Sequence, residues 1–310
     1  MERYINPFVD YGFKKLFGTE ENKDLLISFL NAIIGEEEDA ITNIIYKNVE
    51  QIGEITGTRT NYFDVYCTTV SGREFIVEMQ NTWKPYFKDR TLYYAAKPIR
   101  DQGKRGLQQS EEKQEKPKVW DNRLNDVYLV AVMNFSLPNK EYPEDSYYHK
   151  IKLMDVEDHH VFYEKLTLIY LEMPKLKRVG LDLNTMRGKW LYALHMLSNY
   201  DYQPEELREG VFEKLFRQAE LANFTPAQDL AYERSQKVYW DTYNEIRGAK
   251  LIGHEEGLAE GKELGIAEGK ELGIREEKLA TARRLLDRGM SMEEVSELTD
   301  LSPNDLSSLT

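Results

Sequence analysis

Two acids and a glutamine lie close enough in this 310-residue chain to build a metal-dependent hydrolytic site. Read as a strand, NYFDVYC puts Tyr62, Asp64 and Tyr66 on one face and Phe63, Val65 and Cys67 on the other. REFIVEMQ likewise puts Ile76, Glu78 and Gln80 together, with Phe75, Val77 and Met79 opposite. Ser71-Gly72 is a turn, and a hairpin centred on it brings the residue facing Asp64 within one position of Glu78. Cross-strand Cβ atoms are about 4.5–5.5 Å apart, so both carboxylates aim at one spot. Two such anions repel, and burying them unpaired is expensive. A hard divalent cation resolves the conflict: magnesium accepts one or two carboxylates and keeps water ligands. Such an ion polarises a phosphoryl oxygen and acidifies bound water, which phosphodiester hydrolysis needs. An ordinary hairpin with a solvent-facing polar side has the same spacing, which alone leaves both readings open.

The elements that must position these residues follow from periodicity. DYGFKKLF sets Phe13, Leu16 and Phe17 at helical spacing, and NKDLLISFLNAII carries the pattern to Gly35, which predicts two helices over 10–35. Between Ile41 and Gln80, ITNIIYKNV, NYFDVYCTTV and REFIVEMQ have the β-branched and aromatic character of strands. DRTLYYAAKPIR predicts a short helix that Pro98 ends or kinks, and the charged, aperiodic residues 103–123 predict a mobile loop. NDVYLVAVMNF suits a strand buried on both faces. YYHKIKLMDV and EKLTLIYLEM follow as two further strands. From Met186 to Arg247 the pattern is helical, with Trp190, Leu191, Leu194 and Leu197 on one face. The expected fold is α/β, a mixed sheet flanked by helices. Residues 1–180 form its core and 181–248 a helical region. A glycine-repeat segment at 249–279 and a small module at 280–310 complete the chain.

The tail holds a true repeat: GLAEGKEL at 257–264 returns as GIAEGKEL at 265–272, and glycines stand at 253, 257, 261, 265, 269 and 273. Each interior helical glycine costs about 0.8–1 kcal/mol relative to alanine. A glycine stripe also lets two helix backbones approach, and a spacing above 3.6 favours a right-handed crossing. The stripe therefore predicts a homo-oligomer, with a flexible tether as the alternative. Ser291 should cap MEEVSEL and Ser302-Pro303 start a last helix, giving a helix-turn-helix-like unit. Its acidity favours packing or oligomerisation over DNA binding.

The chain carries a net charge of −13, mildly against a nucleic-acid partner. The distribution says more. From Lys84 to Lys118 ten Lys/Arg face five Asp/Glu, while from Ala249 onward eight face fourteen. A basic stretch directly after the acidic motif suits a phosphate backbone, although a solvated helix and loop fits the charge equally. A single cysteine, Cys67, excludes an internal disulfide framework and fits a reducing compartment. The start has no signal-peptide stretch and no apolar run approaches 18 residues, so a cytosolic protein is expected.

The ordered set Asp10-Tyr11-Gly12-Phe13-Lys14, SFLNAIIG at 28–35, Phe63-Asp64-Val65, Glu78-Met79-Gln80 and Arg90-Thr91-Leu92-Tyr93-Tyr94 resembles the PD-(D/E)XK nuclease fold. It is similar in particular to the Rpn family of recombination-promoting nucleases and transposase-like proteins, which often carry a glycine-repeat tail of this kind. The resemblance implies magnesium-dependent cleavage of DNA, with manganese as an alternative ion, linked to recombination or mobility. It implies Asp64 and Glu78 as metal ligands and Gln80 as the third catalytic residue, where the wider superfamily has lysine. Glutamine can orient water but brings no positive charge. Lys14 or Arg90 is expected to supply it.

Asp10 and Lys14 share a helix face, either near the site, with Asp10 an outer metal or water ligand, or as a plain surface pair. Arg90 and Tyr94 are also four apart and suit a DNA phosphate, with packing the other role for Tyr93 and Tyr94. His159-His160 has no second ligand cluster at a convincing spacing and reads as structural. Two other functions stay open: a catalytically weak nuclease-fold module that binds DNA or protein, and an oligomeric scaffold.

Overall fold

β-Branched and aromatic runs assemble one six-stranded sheet in the computed structural model, which describes residues 2–35, 38–47, 63–112, 122–138 and 142–308. The strands are β1 (Ile45–Tyr46), β2 (Val65–Thr68), β3 (Glu74–Gln80), β4 (Val127–Met133), β5 (Tyr148–Met154) and β6 (Val161–Glu172), in the order β1-β2-β3-β4-β6-β5. β3, β4 and β6 run parallel, and the other pairings are antiparallel. β4 is the interior parallel strand, and every residue of it is buried, as its unbroken apolar run requires. Tyr128, Val130 and Val132 join one core, and Leu129, Ala131 and Met133 the other.

Helices α1 (Asp10–Phe17), α2 (Lys23–Ile34), α4 (Met186–Met196) and α5 (Val211–Ala219) supply the first core, where Phe13, Phe17, Phe29 and Trp190 are fully buried. The expected face of Trp190, Leu191, Leu194 and Leu197 is buried there, as is Cys67. The sheet's other side is covered by α3 (Phe87–Glu112), the crossover that the parallel β3–β4 pair demands.

Pro98 neither ends nor bounds α3, which continues through it to Glu112. Residues 103–112 are helical rather than loop, and 113–121 lie outside the described residues. Ties on both sides of Pro98 outweigh the hydrogen bond it removes. Thr91 Oγ1 meets the Tyr170 hydroxyl at 2.6 Å. Gln102 accepts from the Asn125 N–H at 2.7 Å and donates to the Asn125 carbonyl at 3.3 Å. Arg105 pairs with the buried Glu74.

The N-terminal segment is clamped by residues far along the chain. Ile5 N–H donates to the Ala219 carbonyl (2.9 Å) and Leu221 N–H to the Arg3 carbonyl (3.0 Å). Asn6 N–H donates to the Tyr232 hydroxyl (2.7 Å) and Tyr11 N–H to Ser235 Oγ (3.1 Å). Gly12 makes this clamp fit, because a Cβ there would lie 2.2 Å from the Asn6 carbonyl oxygen. Gly12→Ala should therefore cost about 2–3 kcal/mol, read as a lower denaturant midpoint; an unchanged midpoint would refute this packing.

Contacts divide the chain into Met1–Trp240 and Asp241–Thr310. Helix α6 spans Pro226–Asp287, followed by α7 (Met292–Thr299) and α8 (Pro303–Ser307). Within the second unit, Ala282, Val295, Leu301 and Leu306 form a small core. Ser291 caps α7 with a capping box and Ser302 caps α8, as their positions predict. All six repeat glycines are helical and exposed, and nothing lies within 4 Å of a Cβ built on any of them. No helix among the described residues is long and apolar enough to cross a membrane.

Candidate metal centre

The β2–β3 hairpin closes through Gly72, whose φ of +89° is left-handed backbone that glycine adopts readily. Its register pairs Val65 with Val77 and Thr68 with Glu74. One further pair sets Asp64 opposite Glu78, as the spacing predicts. Asp64 itself precedes the strand and is fixed by the Met79 N–H, which donates to Oδ2 at 2.7 Å. The strand's late start alters one expectation. Phe63 leaves the face of Val65 and Cys67 and packs with Tyr66 and Ile76, because regular alternation begins only at Val65. The expected place of Tyr62 lies outside the described residues.

On β3 the expected alternation holds, with Phe75, Val77 and Met79 in one core and Ile76 in the other. Glu78 is buried, and its Oε1 accepts no hydrogen bond from a described residue. Its Oε2 receives Gln80 Nε2 at 2.9 Å, and Gln80 Oε1 receives the Arg90 guanidinium from the first turn of α3. Arg90 lies over the Tyr94 ring at 5.7 Å, and Tyr94 packs edge-on against Phe63 at 5.4 Å. Tyr94 thus supports Arg90 from below.

Burial pushes the Asp64 carboxyl up to about 6, the Asp10 charge adding to it and the Met79 N–H, Lys14 and Arg90 opposing it. Burial, then the neighbouring Asp64, raises Glu78 well above the ordinary carboxylate range, with Arg90 in partial opposition. Asp10 and Lys14 form an ion pair at 2.8 Å, close enough for both to act on Asp64. One hydrogen-bonded and charged neighbourhood therefore holds Asp64, Glu78, Gln80 and Arg90, with Asp10 and Lys14 beside it.

This donor set fits a hard divalent cation. Two buried carboxylates that resist ionisation, one with an oxygen lacking a partner among the described residues, are what a cation would relieve. Asn81, which sequence reasoning missed, links the site to the N-terminal segment: its Nδ2 donates to the Phe8 carbonyl, and its buried Oδ1 has no described partner. Its place directly after Gln80 was the one available signal.

The sequence reading of His159-His160 as structural did not anticipate the carboxylates beside His160. Ligand atoms of Asp155, Asp158 and His160 lie within 4.8 Å of one another at the β5–β6 turn. The spacing within a turn of six residues hid this, since it matches no regular ligand pattern. This cluster is largely exposed, and Asp155 Oδ1 already accepts the Glu157 and Asp158 N–H groups. It stands at the other end of the sheet order from β1 and β2.

A family model described as PD-(D/E)XK nuclease family transposase matches residues 7–249. Searches of curated proteins and of solved structures return no match.

Proposed function

The chain belongs to the PD-(D/E)XK nuclease family transposases, and from that premise we propose that it is a metal-dependent DNA endonuclease serving recombination or transposon-like mobility. The observation that supports this reading is the Oε1 of Glu78, which has no partner among the described residues, in a buried acidic pair with Asp64 that a cation would relieve. Asp64 and Glu78 would hold Mg²⁺, or Mn²⁺ in its place, and a bound ion would supply Lewis-acid polarisation of the phosphate and an acidified water. Gln80 holds the Glu78 carboxylate and orients the attacking water through its amide. Arg90 aligns that amide and brings the positive charge that lysine supplies elsewhere in the superfamily. Asp10 and Lys14 tune Asp64 from α1, with Lys14 offsetting the negative charge there. No side chain need become a covalent nucleophile.

A supercoiled plasmid incubated with Mg²⁺ tests this directly. Wild type should nick it, and Asp64→Ala and Glu78→Ala should each lower the rate at least about 10³-fold. Equal cleavage by all three proteins would sink the assignment. DNA binding without cleavage by wild type would select the alternative, a catalytically weak binding module, which Gln80 and the net charge favour.

The glycine repeat supports self-association of a cytoplasmic enzyme. An isolated helix with six interior glycines gives up roughly 5–6 kcal/mol relative to alanine, and the stripe leaves room for a second backbone along it. Removing residues 249–310 should lower the native mass to that of a monomer, whereas a full-length chain already monomeric at micromolar concentration would leave the repeat a tether.

A further inference from the structure

The segment joining β3 to α3 has a character that metal binding does not use. Directly after Gln80 it exposes large aromatic rings: Trp83 is 43% exposed and Tyr86 80%, and Tyr93 on α3 is 66% exposed. Soluble proteins bury such rings when they can. Tyr86 even holds a backbone φ of 62°, an uncommon conformation for a bulky residue, immediately before the buried Phe87. Strain of this kind gathers at ligand-contacting segments.

Charge accompanies the rings. From Lys84 to Arg105 seven Lys/Arg stand against two Asp/Glu, in a chain whose net charge is −13. Arg90, Tyr93, Lys97, Arg100 and Lys104 recur at steps of three and four, which is one face of α3. At 1.5 Å per residue this stripe is about 21 Å long, the span of roughly six nucleotides of one strand at 3.4 Å each. It begins at Arg90, the residue that touches Gln80. Tyr93 also connects to the site, its ring 6.4 Å from Tyr94, which supports Arg90.

We propose that Trp83, Tyr86 and Tyr93 form a stacking platform for unpaired bases beside the metal centre, so that the preferred substrate is DNA with a single-stranded segment next to the scissile phosphate. The inference rests on the nuclease reading and deepens it. An aromatic surface within a positive field suits single strands, because every base offers a face to stack while the backbone follows the cations. A paired duplex keeps its base faces within the stack and can use only the cationic stripe. A protein partner would not account for the row of cations.

The test uses full-length protein carrying Asp64→Asn, so that binding is read with Mg²⁺ present and cleavage suppressed. Fluorescence anisotropy compares a labelled 20-nucleotide oligothymidine with a 20-base-pair duplex. Adding Trp83→Ala with Tyr86→Ala should weaken single-strand binding about 10-fold or more and duplex binding less than about 3-fold. Trp83→Phe with Tyr86→Phe should restore most of the loss. Tyr93→Ala, on a different element, should act in the same direction and guards against a folding defect in the first pair. Unchanged single-strand binding, or equal losses on both probes, overturns the proposal. So does a changed native mass with single-strand binding intact, which would mark a protein contact instead. Plasmid nicking by proteins with Asp64 restored separates the two readings. Cleavage that occurs normally while the platform variants bind single strands normally removes the platform alone. Ring-dependent single-strand binding without any cleavage removes the nuclease alone.

Discussion

Asp64→Asn is expected to stabilise the metal-free protein at pH 8 while abolishing cleavage. The native state resists ionising Asp64, whose carboxyl is pushed up to about 6 from an ordinary 3.8 chiefly by burial. A raised acid gives its full stability below the unfolded value, where it is neutral in both states. That stability is lost as the pH climbs through the native value, because the native state then holds the proton more tightly than the unfolded chain. From pH 4 to 7, therefore, the Asp64 contribution falls by roughly 1–3 kcal/mol. Glu78 acts in the same direction. The neutral amide escapes this loss and still accepts the Met79 N–H. Chemical denaturation without metal should show wild type and Asp64→Asn alike near pH 4 and the variant more stable near pH 8. Millimolar Mg²⁺ or Mn²⁺ should close that gap by stabilising wild type alone. A destabilised variant at pH 8 would mean that the pair is satisfied within the protein and awaits no cation.

The second large effect concerns the relay from Arg90 through Gln80 to Glu78. The guanidinium holds the amide oxygen, and the amide nitrogen holds the carboxylate. The two side chains thus act in series. Arg90→Ala and Gln80→Ala should each reduce cleavage about 10²–10³-fold, and the double variant should be scarcely worse than either, because breaking one link already frees the other. Gln80→Lys should not recover the ordinary superfamily arrangement, since its ammonium would face Arg90; adding Arg90→Ala should partly rescue it. Multiplicative losses in the double variant would show that Arg90 and Gln80 act independently. Rates should be taken at saturating metal, so that metal affinity does not enter the comparison.

The hairpin and its acids were legible because strand alternation and a short turn carrying glycine are local rules, and Asp64 is separated from Glu78 by one turn. The buried run of β4 was equally plain. Pro98 did not end the helix, although local preference disfavours it there, because Thr91 and Arg105 fasten α3 to β6 and β3 and Gln102 fastens it to Asn125 just before β4. Phe63 misled for a related reason: periodicity gives the faces of a strand and not the residue at which it begins. Arg90 was a candidate for the missing charge, but its contact with Gln80 depends on how α3 returns over the sheet. The cluster at Asp155, Asp158 and His160 arises from the shape of a turn.

The clamp on the N-terminal segment orders events during synthesis. Asp64 and Glu78 can pair as soon as their hairpin leaves the ribosome, yet β4 and β6, which bury it, come some 50 to 90 residues later. Asp10 and Lys14 wait longer still. The segment before α1 is fastened by Ala219, Leu221, Tyr232 and Ser235, so these ties to α1 and the segment before it are complete only when residue 235 has emerged. At about 5–20 residues per second, that delay is of order ten seconds or more after Lys14 itself is made. The neighbours of Asp64 on α1 are thereby completed only when nearly the whole first unit has been translated.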